Sequence, residues 1–300
     1  MNTALDAIID TIIIELDKGV APWRQPWANG ARPGFPLRST GEAFSGMNAI
    51  LLSMLQATRG FGSAYWLTFN QAKDLGGNVR KGEKASPAIL YKTRTIEGEA
   101  EDKGDDRVLR FLKTYCVFNA DQIDGLPELF KPSTAPTAAM EPLAQDIAGI
   151  MANFPVPVTH GGNMACYVVA EDIIRMPPRE AFANDEYYVT TLLHEFGHAT
   201  GAKSRLNRFA VYEGREDYAR EELVAELTSH LTSLHLGINP SQSVFQDHIA
   251  YLGYWAELLK DRPNELLKAA GKAQLACDMI LKYRHGGQSL EDLSTLPLAG

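Results

Sequence analysis

The stretch His194-Glu195-Phe196-Gly197-His198 decides how the rest of this 300-residue chain is interpreted. On a helix, two histidines four residues apart project from one face, which suits two nitrogen ligands of a single tetrahedral zinc ion. Glu195 follows the first histidine, where its carboxylate can accept a proton from a water molecule that the metal activates. The pentapeptide therefore predicts a metal site with His194 and His198 as ligands and Glu195 as the catalytic base.

The flanking residues favour a helix around this motif. Asn184 or Asp185 can cap its N-terminus, and Glu186 falls in the first turn, where the helix dipole favours an anion. Gly201 is placed to end the helix, and Gly197 leaves room for another backbone to approach it closely. A pair of ordinary surface or core histidines is the weaker interpretation.

A third metal ligand is expected from an amphipathic helix over residues 218–227, whose apolar side chains recur at helical spacing. Glu222 and Glu226 are again four residues apart. One carboxylate can bind the metal while the other holds a ligating imidazole through its second nitrogen. We prefer Glu222 as the ligand and Glu226 in the supporting role.

The neighbours of these glutamates are weaker candidates. Glu221 projects about 100° away from Glu222 on a helix, so we expect it to be solvated or paired with Arg220 or Arg215. Two histidines further along are alternative ligands, although each is more easily explained as a surface or core residue: His230 and His235. Because two histidines and one carboxylate also suit Mn²⁺ and other divalent ions, Zn²⁺ is the preferred metal but not the only candidate.

The composition is that of an ordinary globular protein, with 45% hydrophobic and 22% charged residues. Its three cysteines lie far apart and form no disulfide framework, which favours a reducing, cytoplasmic location. The apolar N-terminal segment is interrupted by acidic residues and has no basic leader, so we expect a core helix rather than a signal peptide. No stretch has membrane-spanning length, and no membrane partner is expected.

Charge is unevenly distributed along the chain. The net charge is −8, yet residues 18–94 contain eleven basic and only three acidic side chains. Aromatic residues are interleaved with the basic ones, which suits single-stranded DNA because rings stack on bases and cations contact phosphates. The candidate DNA-binding residues are Trp23, Arg24, Trp27, Trp66, Lys73, Arg80, Lys81 and Lys84. A solvated surface over core tryptophans explains the same pattern equally well, and no element that reads base sequence is evident.

The periodicity predicts an α+β fold with two domains, a small antiparallel-sheet domain followed by a mainly helical one. A Pro/Thr/Ala stretch without periodicity predicts a linker, so the boundaries are placed at 1–130, 131–140 and 141–300. Helices are predicted at 3–18, 47–58, 68–76, 141–153, 241–260 and 263–283. Strands are predicted at 87–95 and 108–118, joined by an acidic hairpin tip at 97–106, and at 165–174. The last strand precedes the metal helix, where an edge strand can hold an extended peptide by backbone pairing.

Two groups of motifs extend along nearly the whole chain. The first half contains Pro22-Trp23-Arg24-Gln25-Pro26-Trp27 and the segments 45–50, 66–72, 76–84 and 117–119. The second half contains Asp172, Ile174, 176–177, 194–198, 200–201, 205–208 and 218–227. Together these motifs resemble the ArdC-type antirestriction proteins of mobile elements, and those in the first half also resemble the N-terminal module of conjugative TraC-type primases. The resemblance implies a single-stranded-DNA-binding domain fused to a zincin-like metallopeptidase domain, carried on a plasmid or similar element. The implied role is the protection of incoming DNA from host restriction.

Two functional hypotheses remain open at this point. In the first, the protein coats incoming single-stranded DNA, or a restriction complex that engages it, and blocks restriction without breaking a bond. In the second, it is a metallopeptidase that cleaves a protein substrate such as a host restriction enzyme, with Glu195 as the base. A role as a primase accessory is weaker, because no polymerase carboxylate cluster is recognisable.

Overall fold

The computed structural model describes residues 3–24, 34–96, 107–132, 140–210, 214–238 and 249–285. Its α-helices are α1 (Thr3–Asp17), α2 (Gly46–Arg59), α3 (Phe69–Asp74), α4 (Met140–Asn153), α5 (Asp185–Ala199), α6 (Arg215–His235), α7 (Ile249–Asp261) and α8 (Asn264–Lys282). Its strands are β1 (Leu37–Arg38), β2 (Tyr65–Leu67), β3 (Asn78–Val79), β4 (Ser86–Ile96), β5 (Arg107–Asn119), β6 (Ile123–Asp124), β7 (Val158–His160), β8 (Cys166–Val168) and β9 (Ile173–Met176). The predicted α+β class, with a small sheet first and a mainly helical region after it, is confirmed.

The first half is built on a four-stranded sheet of order β1-β2-β5-β4. The long β4–β5 hairpin pairs Ser86 with Val117 at one end, and its predicted tip at 97–106 lies outside the described residues. Helix α2 packs on this sheet, where the Asn48 amide donates to the Ile89 carbonyl and accepts from the Ile89 N–H, both at 2.7 Å. The expected antiparallel pairing holds except between β1 and β2, which are parallel.

The second half contains a three-stranded sheet of order β7-β9-β8, which packs against α5. The continuous strand predicted at 165–174 is wrong, because a turn separates β8 from β9. Asp172 in that turn has a left-handed backbone with φ of 53°, and its carboxylate accepts hydrogen bonds from Tyr167 and Arg205. The helix predicted at 263–283 is confirmed as α8, whereas residues 241–248 of the helix predicted before it lie outside the described residues.

One hydrophobic cluster joins the two halves of the chain. Ile12 of α1 and Trp23 lie in the same buried cluster as Leu227 of α6 and Trp255 of α7. Helix α1 packs on α7, and α2 packs on α8. Helix α6, which packs against α5, therefore lies in a core to which both halves contribute. Within the described ranges, no helix is long and apolar enough to cross a membrane.

Candidate metal centre

Helix α5 presents the two histidines of the motif. Asn184 is its N-cap, because its side-chain oxygen accepts the Tyr187 N–H at 2.8 Å. The helix ends at the predicted place, but Gly201 is required there for space rather than for a left-handed backbone. A β-carbon on Gly201 would lie 2.7 Å from the Phe209 ring. The loop that follows α5 thus folds back tightly against the metal helix.

The two imidazoles converge on one point. Nε2 of His194 and Nε2 of His198 are 3.1 Å apart, and the ring planes are nearly perpendicular at 83°. Only 3% of the His194 surface is exposed. Two nitrogens that face each other across so short a gap in a buried site are suitably placed for a shared cation.

Helix α6 brings Glu222 to the same point. Its carboxylate oxygens lie 3.4 Å from Nε2 of His194 and 3.5 Å from Nε2 of His198. One donor atom from each of the three residues lies within 4.8 Å of the other two. This set of two imidazole nitrogens and one carboxylate oxygen fits a divalent transition metal.

A second carboxylate stands behind each imidazole. Glu226 approaches Nδ1 of His194 at 3.6 Å, and Glu221 approaches Nδ1 of His198 at 3.5 Å. A carboxylate on the outer nitrogen fixes the ring orientation and the tautomer of a metal-ligating histidine. Glu226 and Glu221 thus occupy equivalent places behind the two rings, and the supporting role of Glu226 stays a prediction.

The prediction that Glu221 is solvated or paired with Arg220 or Arg215 is wrong. Glu221 is buried, and its carboxylate accepts two hydrogen bonds from Arg208, at 2.6 and 2.9 Å. Because Gly197 has no side chain, α6 approaches α5 closely, and the side of α6 that carries Glu221 is buried between the helices. Arg208 could not be identified as the partner from the sequence, because the turn after α5 brings it there.

The buried charges of the site compensate one another. Burial disfavours the charged imidazole of His198, but hydrogen bonds with Glu221 and Glu222 outweigh it and raise its pKa to about 10. Burial likewise disfavours the Glu222 carboxylate, but its contacts with the two histidines dominate and hold its pKa well below the ordinary range. The anionic carboxylate is thus the favoured form of Glu222.

Glu195 lies outside the group of potential ligands formed by His194, His198 and Glu222. Its Oε2 accepts the backbone N–H of Tyr167, on the outer strand β8, at 2.7 Å. The Tyr167 hydroxyl in turn donates to Asp172, and burial together with that hydrogen bond raises the tyrosine pKa to about 12. The candidate base is therefore anchored to the edge strand of the sheet.

The alternative histidine ligands lie elsewhere. Nε2 of His230 is 3.0 Å from the Ser53 hydroxyl, and the His235 ring stacks on Phe35 with centroids 3.9 Å apart. Neither belongs to the group of potential ligands found among the described residues. The expectation that both are structural is consistent with these contacts.

Two of the candidate DNA-binding aromatics are core residues. Trp23 is 2% exposed and Trp66 is 1% exposed, so a base cannot stack on either ring. This part of the prediction is wrong, because composition does not distinguish a buried tryptophan from an exposed one. Trp27 lies outside the described residues, as does the side chain of Arg24. Phe69, another of the aromatic residues interleaved with the basic ones, is 55% exposed.

The four candidate basic residues whose side chains the structure describes are all at the surface. Lys73 lies one helical turn after Phe69 on α3 and is exposed, as are Lys81 and Lys84 in the turn after β3. Arg80 is also exposed, but it forms ion pairs with acidic neighbours, Glu83 at 2.7 Å and Asp124 at 3.4 Å. These internal pairs make Arg80 the least available of the four cations.

Comparison with known proteins identifies the family. Residues 2–118 match the N-terminal domain of anti-restriction factor ArdC, and residues 145–272 match the zincin-like metallopeptidases. The solved metal-free structure of antirestriction protein ArdC from plasmid R388 is 39% identical, with a TM-score of 0.77, over 93% of this chain and 97% of that one. The chain belongs to the ArdC family of antirestriction proteins.

Other members and relatives of this ArdC-family protein extend the comparison. The Mn(II)-bound structure of the R388 protein is likewise 39% identical, with a TM-score of 0.75, over 95% of this chain and 99% of that one. Protein y4eC of Sinorhizobium fredii is 30% identical over 95% of this chain and 92% of its own length. Two DNA primases TraC of Escherichia coli are each 34% identical over 93% of this chain, which spans only 20% and 27% of their lengths. The zincin-like match and the Mn(II)-bound relative support a divalent metal in this family.

Proposed function

We propose that this protein binds single-stranded DNA and protects the incoming DNA of a plasmid or similar element from restriction in the recipient cytoplasm. The similarity to the R388 antirestriction protein over nearly the full length of both chains carries this proposal. Restriction would be blocked because the protein occupies the DNA or the complex that acts on it. A surface that contacts phosphates and stacks on bases is sufficient for this role.

The DNA-contacting surface is assigned to α3 and the turn after β3, and we call it the α3 surface: Phe69, Lys73, Lys81 and Lys84. Phe69 offers an exposed ring on which a base can stack, and Lys73 projects from the same helix face one turn later. Lys81 and Lys84 add two exposed cations. Because these groups contact ring faces and phosphates, we expect binding with little sequence preference.

The second half is proposed to hold one divalent ion, preferably zinc, between His194, His198 and Glu222. When bound there, the ion supplies a Lewis acid at a buried site. Glu195 is placed beside it to hold a proton, and the N–H of Tyr167 keeps that carboxylate oriented. The metal would also fasten α5 to α6, since its ligands come from both helices.

A metallopeptidase is the second candidate function, and one observation favours it. The candidate base Glu195 is hydrogen-bonded to β8, the outer strand of its sheet. An extended peptide that pairs with an outer strand would lie directly beside the catalytic carboxylate. Its substrate would be a host restriction enzyme or another DNA-processing protein.

Single-stranded-DNA binding is tested by fluorescence anisotropy with a labelled oligonucleotide over a range of salt concentrations. We expect Phe69→Ala to weaken binding at every salt concentration, and Lys81→Ala/Lys84→Ala to weaken it and reduce its salt dependence. The matched control is Lys268→Ala/Lys272→Ala, which removes two exposed cations from α8. Protection is measured as plasmid establishment in a restricting host relative to a non-restricting one. Failure of the wild-type protein to bind the oligonucleotide, or equal losses in the α3 and control variants, would contradict the assignment.

A further inference from the structure

Trp23 makes a polar contact with the second half of the chain, which contains the candidate metal ligands. Its indole Nε1–H donates to Oε1 of Glu226 at 3.1 Å, and both side chains are buried, Glu226 completely. The two residues are 203 positions apart in the sequence. A short 3₁₀ turn, Pro22–Arg24, after α1 carries the tryptophan to this point.

The accepting carboxylate is the one behind His194. While Oε1 of Glu226 accepts from the indole, its Oε2 lies 3.6 Å from Nδ1 of His194. An indole nitrogen can only donate, so this contact fixes which oxygen of the carboxylate faces Trp23. The other oxygen then favours a proton on Nδ1 of His194 and leaves Nε2 free to bind a metal.

The two histidines are thus supported in the same manner from different parts of the chain. The carboxylate behind His198, that of Glu221, is held by Arg208 from the loop directly after α5. The carboxylate behind His194 is held by Trp23 from the N-terminal half. The hydrogen-bonded groups around the proposed ligands are therefore incomplete without the first half of the chain.

We propose that Trp23 is a positioning residue of the metal site, through which the N-terminal half sets the affinity for the metal. The inference rests on the proposed function of His194, His198 and Glu222 as ligands. By linkage, a metal that binds more tightly when the indole contact is present also strengthens that contact. Metal binding and the packing of the N-terminal half on α6 are then coupled.

Trp255 provides a matched comparison within the same core. Its ring centroid is 6.1 Å from that of Trp23, and its indole N–H donates to the Ala219 carbonyl at 2.9 Å. Replacement of either tryptophan by phenylalanine exchanges a two-ring indole for a single ring and removes one buried N–H from the same cluster. Only the change at Trp23 removes the donor to Glu226, so general loosening of the core is controlled.

The test is a titration of the full-length, metal-free protein with Mn(II), with the free ion followed by electron paramagnetic resonance. We expect Trp23→Phe to weaken Mn(II) binding by about tenfold, as for other groups that orient a ligating histidine, while Trp255→Phe stays within about twofold of wild type. Equal affinities of Trp23→Phe and wild type, or equal losses in both variants, would overturn the inference. His194→Ala distinguishes a failure of this inference from a failure of the proposed metal site. If wild type binds no Mn(II), or if His194→Ala binds it as well as wild type, the assignment of the metal ligands is wrong.

A second measurement uses the wild-type protein. In protein with ¹⁵N-labelled tryptophan, we expect zinc to shift the indole N–H resonance of Trp23 and to slow its hydrogen exchange. The indole of Trp66, which is buried and whose N–H has no hydrogen-bond partner among the described residues, is the internal reference. A Trp23 resonance that responds to zinc no more than that of Trp66, in protein that has bound zinc, would overturn the coupling.

Discussion

The Nε2 atoms of His194 and His198 face each other at 3.1 Å, with Glu222 carboxylate oxygens 3.4 and 3.5 Å from them. A single proton can bridge only two of these three groups. A divalent cation satisfies both nitrogens and the carboxylate together, and their burial keeps water from competing for them. The arrangement is therefore explained better by a metal than by a hydrogen bond between two histidines.

The first prediction concerns metal content. Removal of a ligand from a three-ligand site should abolish stoichiometric binding, so His194→Ala and Glu222→Ala should each lose about one equivalent of metal. Glu226→Gln should retain metal with reduced affinity, since it supports a ligand without being one. Elemental analysis after dialysis against zinc measures all three. Metal retained in Glu222→Ala would move the third ligand to Glu226.

The second prediction separates the two candidate functions. Glu195→Gln keeps the size of the side chain, and its amide oxygen can still accept the Tyr167 N–H, so we expect folding and metal content to be unchanged. The substituted side chain cannot act as a base, so any peptidase activity should disappear. If protection is due to DNA binding, plasmid establishment in a restricting host should match that of wild type. Loss of protection with intact oligonucleotide binding would favour the peptidase.

Features encoded by nearby residues were predictable from the sequence. The helix that carries His194 and His198 has a local cap at Asn184 and a local periodicity, and α5 is found as predicted. Which glutamate of α6 faces the histidines depends on the rotation of α6 against α5, a tertiary property. The sequence reduced that choice to Glu222 and Glu226 through their spacing, and the structure places them on different nitrogens of His194.

Features set by distant contacts were not predictable. Trp23 and Trp66 lie in a segment of the sequence rich in basic residues, as expected of a DNA-binding surface, yet both rings are in the core. Glu221 has arginines nearby in sequence, but its partner is Arg208, which the turn after α5 brings to it. In each case a residue remote in sequence, or the packing of a whole helix, decides the outcome.

The third prediction tests the close contact between α5 and α6. A β-carbon on Gly197 would lie 3.0 Å from the Ala225 Cα and 3.2 Å from its carbonyl oxygen, so Gly197→Ala must move one helix backbone. We expect a loss of about 1–3 kcal/mol in unfolding free energy and weaker metal binding, since the ligands lie on both helices. Gly253→Ala in α7 is the control, because nothing lies within 4 Å of its added carbon. The control should gain about 0.5–1 kcal/mol, and a similar gain in Gly197→Ala would contradict the prediction.

The fourth prediction concerns the buried pair of Arg208 and Glu221, whose side chains are 6% and 8% exposed. Arg208→Met removes the two hydrogen bonds that the guanidinium donates to the buried Glu221 carboxylate and leaves the His198 imidazole as its cationic neighbour. This should cost up to about 3–5 kcal/mol of unfolding free energy. The double variant Arg208→Met/Glu221→Gln should recover part of this loss, because the incompletely compensated charge is gone. Urea denaturation of the metal-free proteins measures both. A double variant no more stable than the single one would show that Arg208 acts mainly through its other hydrogen bonds, to Gly197 and Thr200.

The fifth prediction is a pH dependence that originates at His235. Burial against the Phe35 ring disfavours the charged imidazole and lowers its pKa to about 4, although Asp278 opposes the shift and Arg284 adds to it. An unfolded chain binds this proton near pH 6.5, so between about pH 6.5 and 4 the unfolded state holds more protons than the folded one. The neutral His235 imidazole therefore makes its full contribution to the unfolding free energy above about pH 6.5. This contribution is lost as the solution is acidified, and the loss is at most about 3 kcal/mol.

His235→Phe keeps a ring against Phe35 and removes the titrating group. We expect it to lose less unfolding free energy than wild type between pH 7 and pH 5, whatever its stability at pH 7. Urea denaturation with a chelator present, at several pH values, isolates this difference because every other titrating group is shared by the two proteins. Parallel pH profiles for the two proteins would mean that His235 is accommodated as a cation in the folded state.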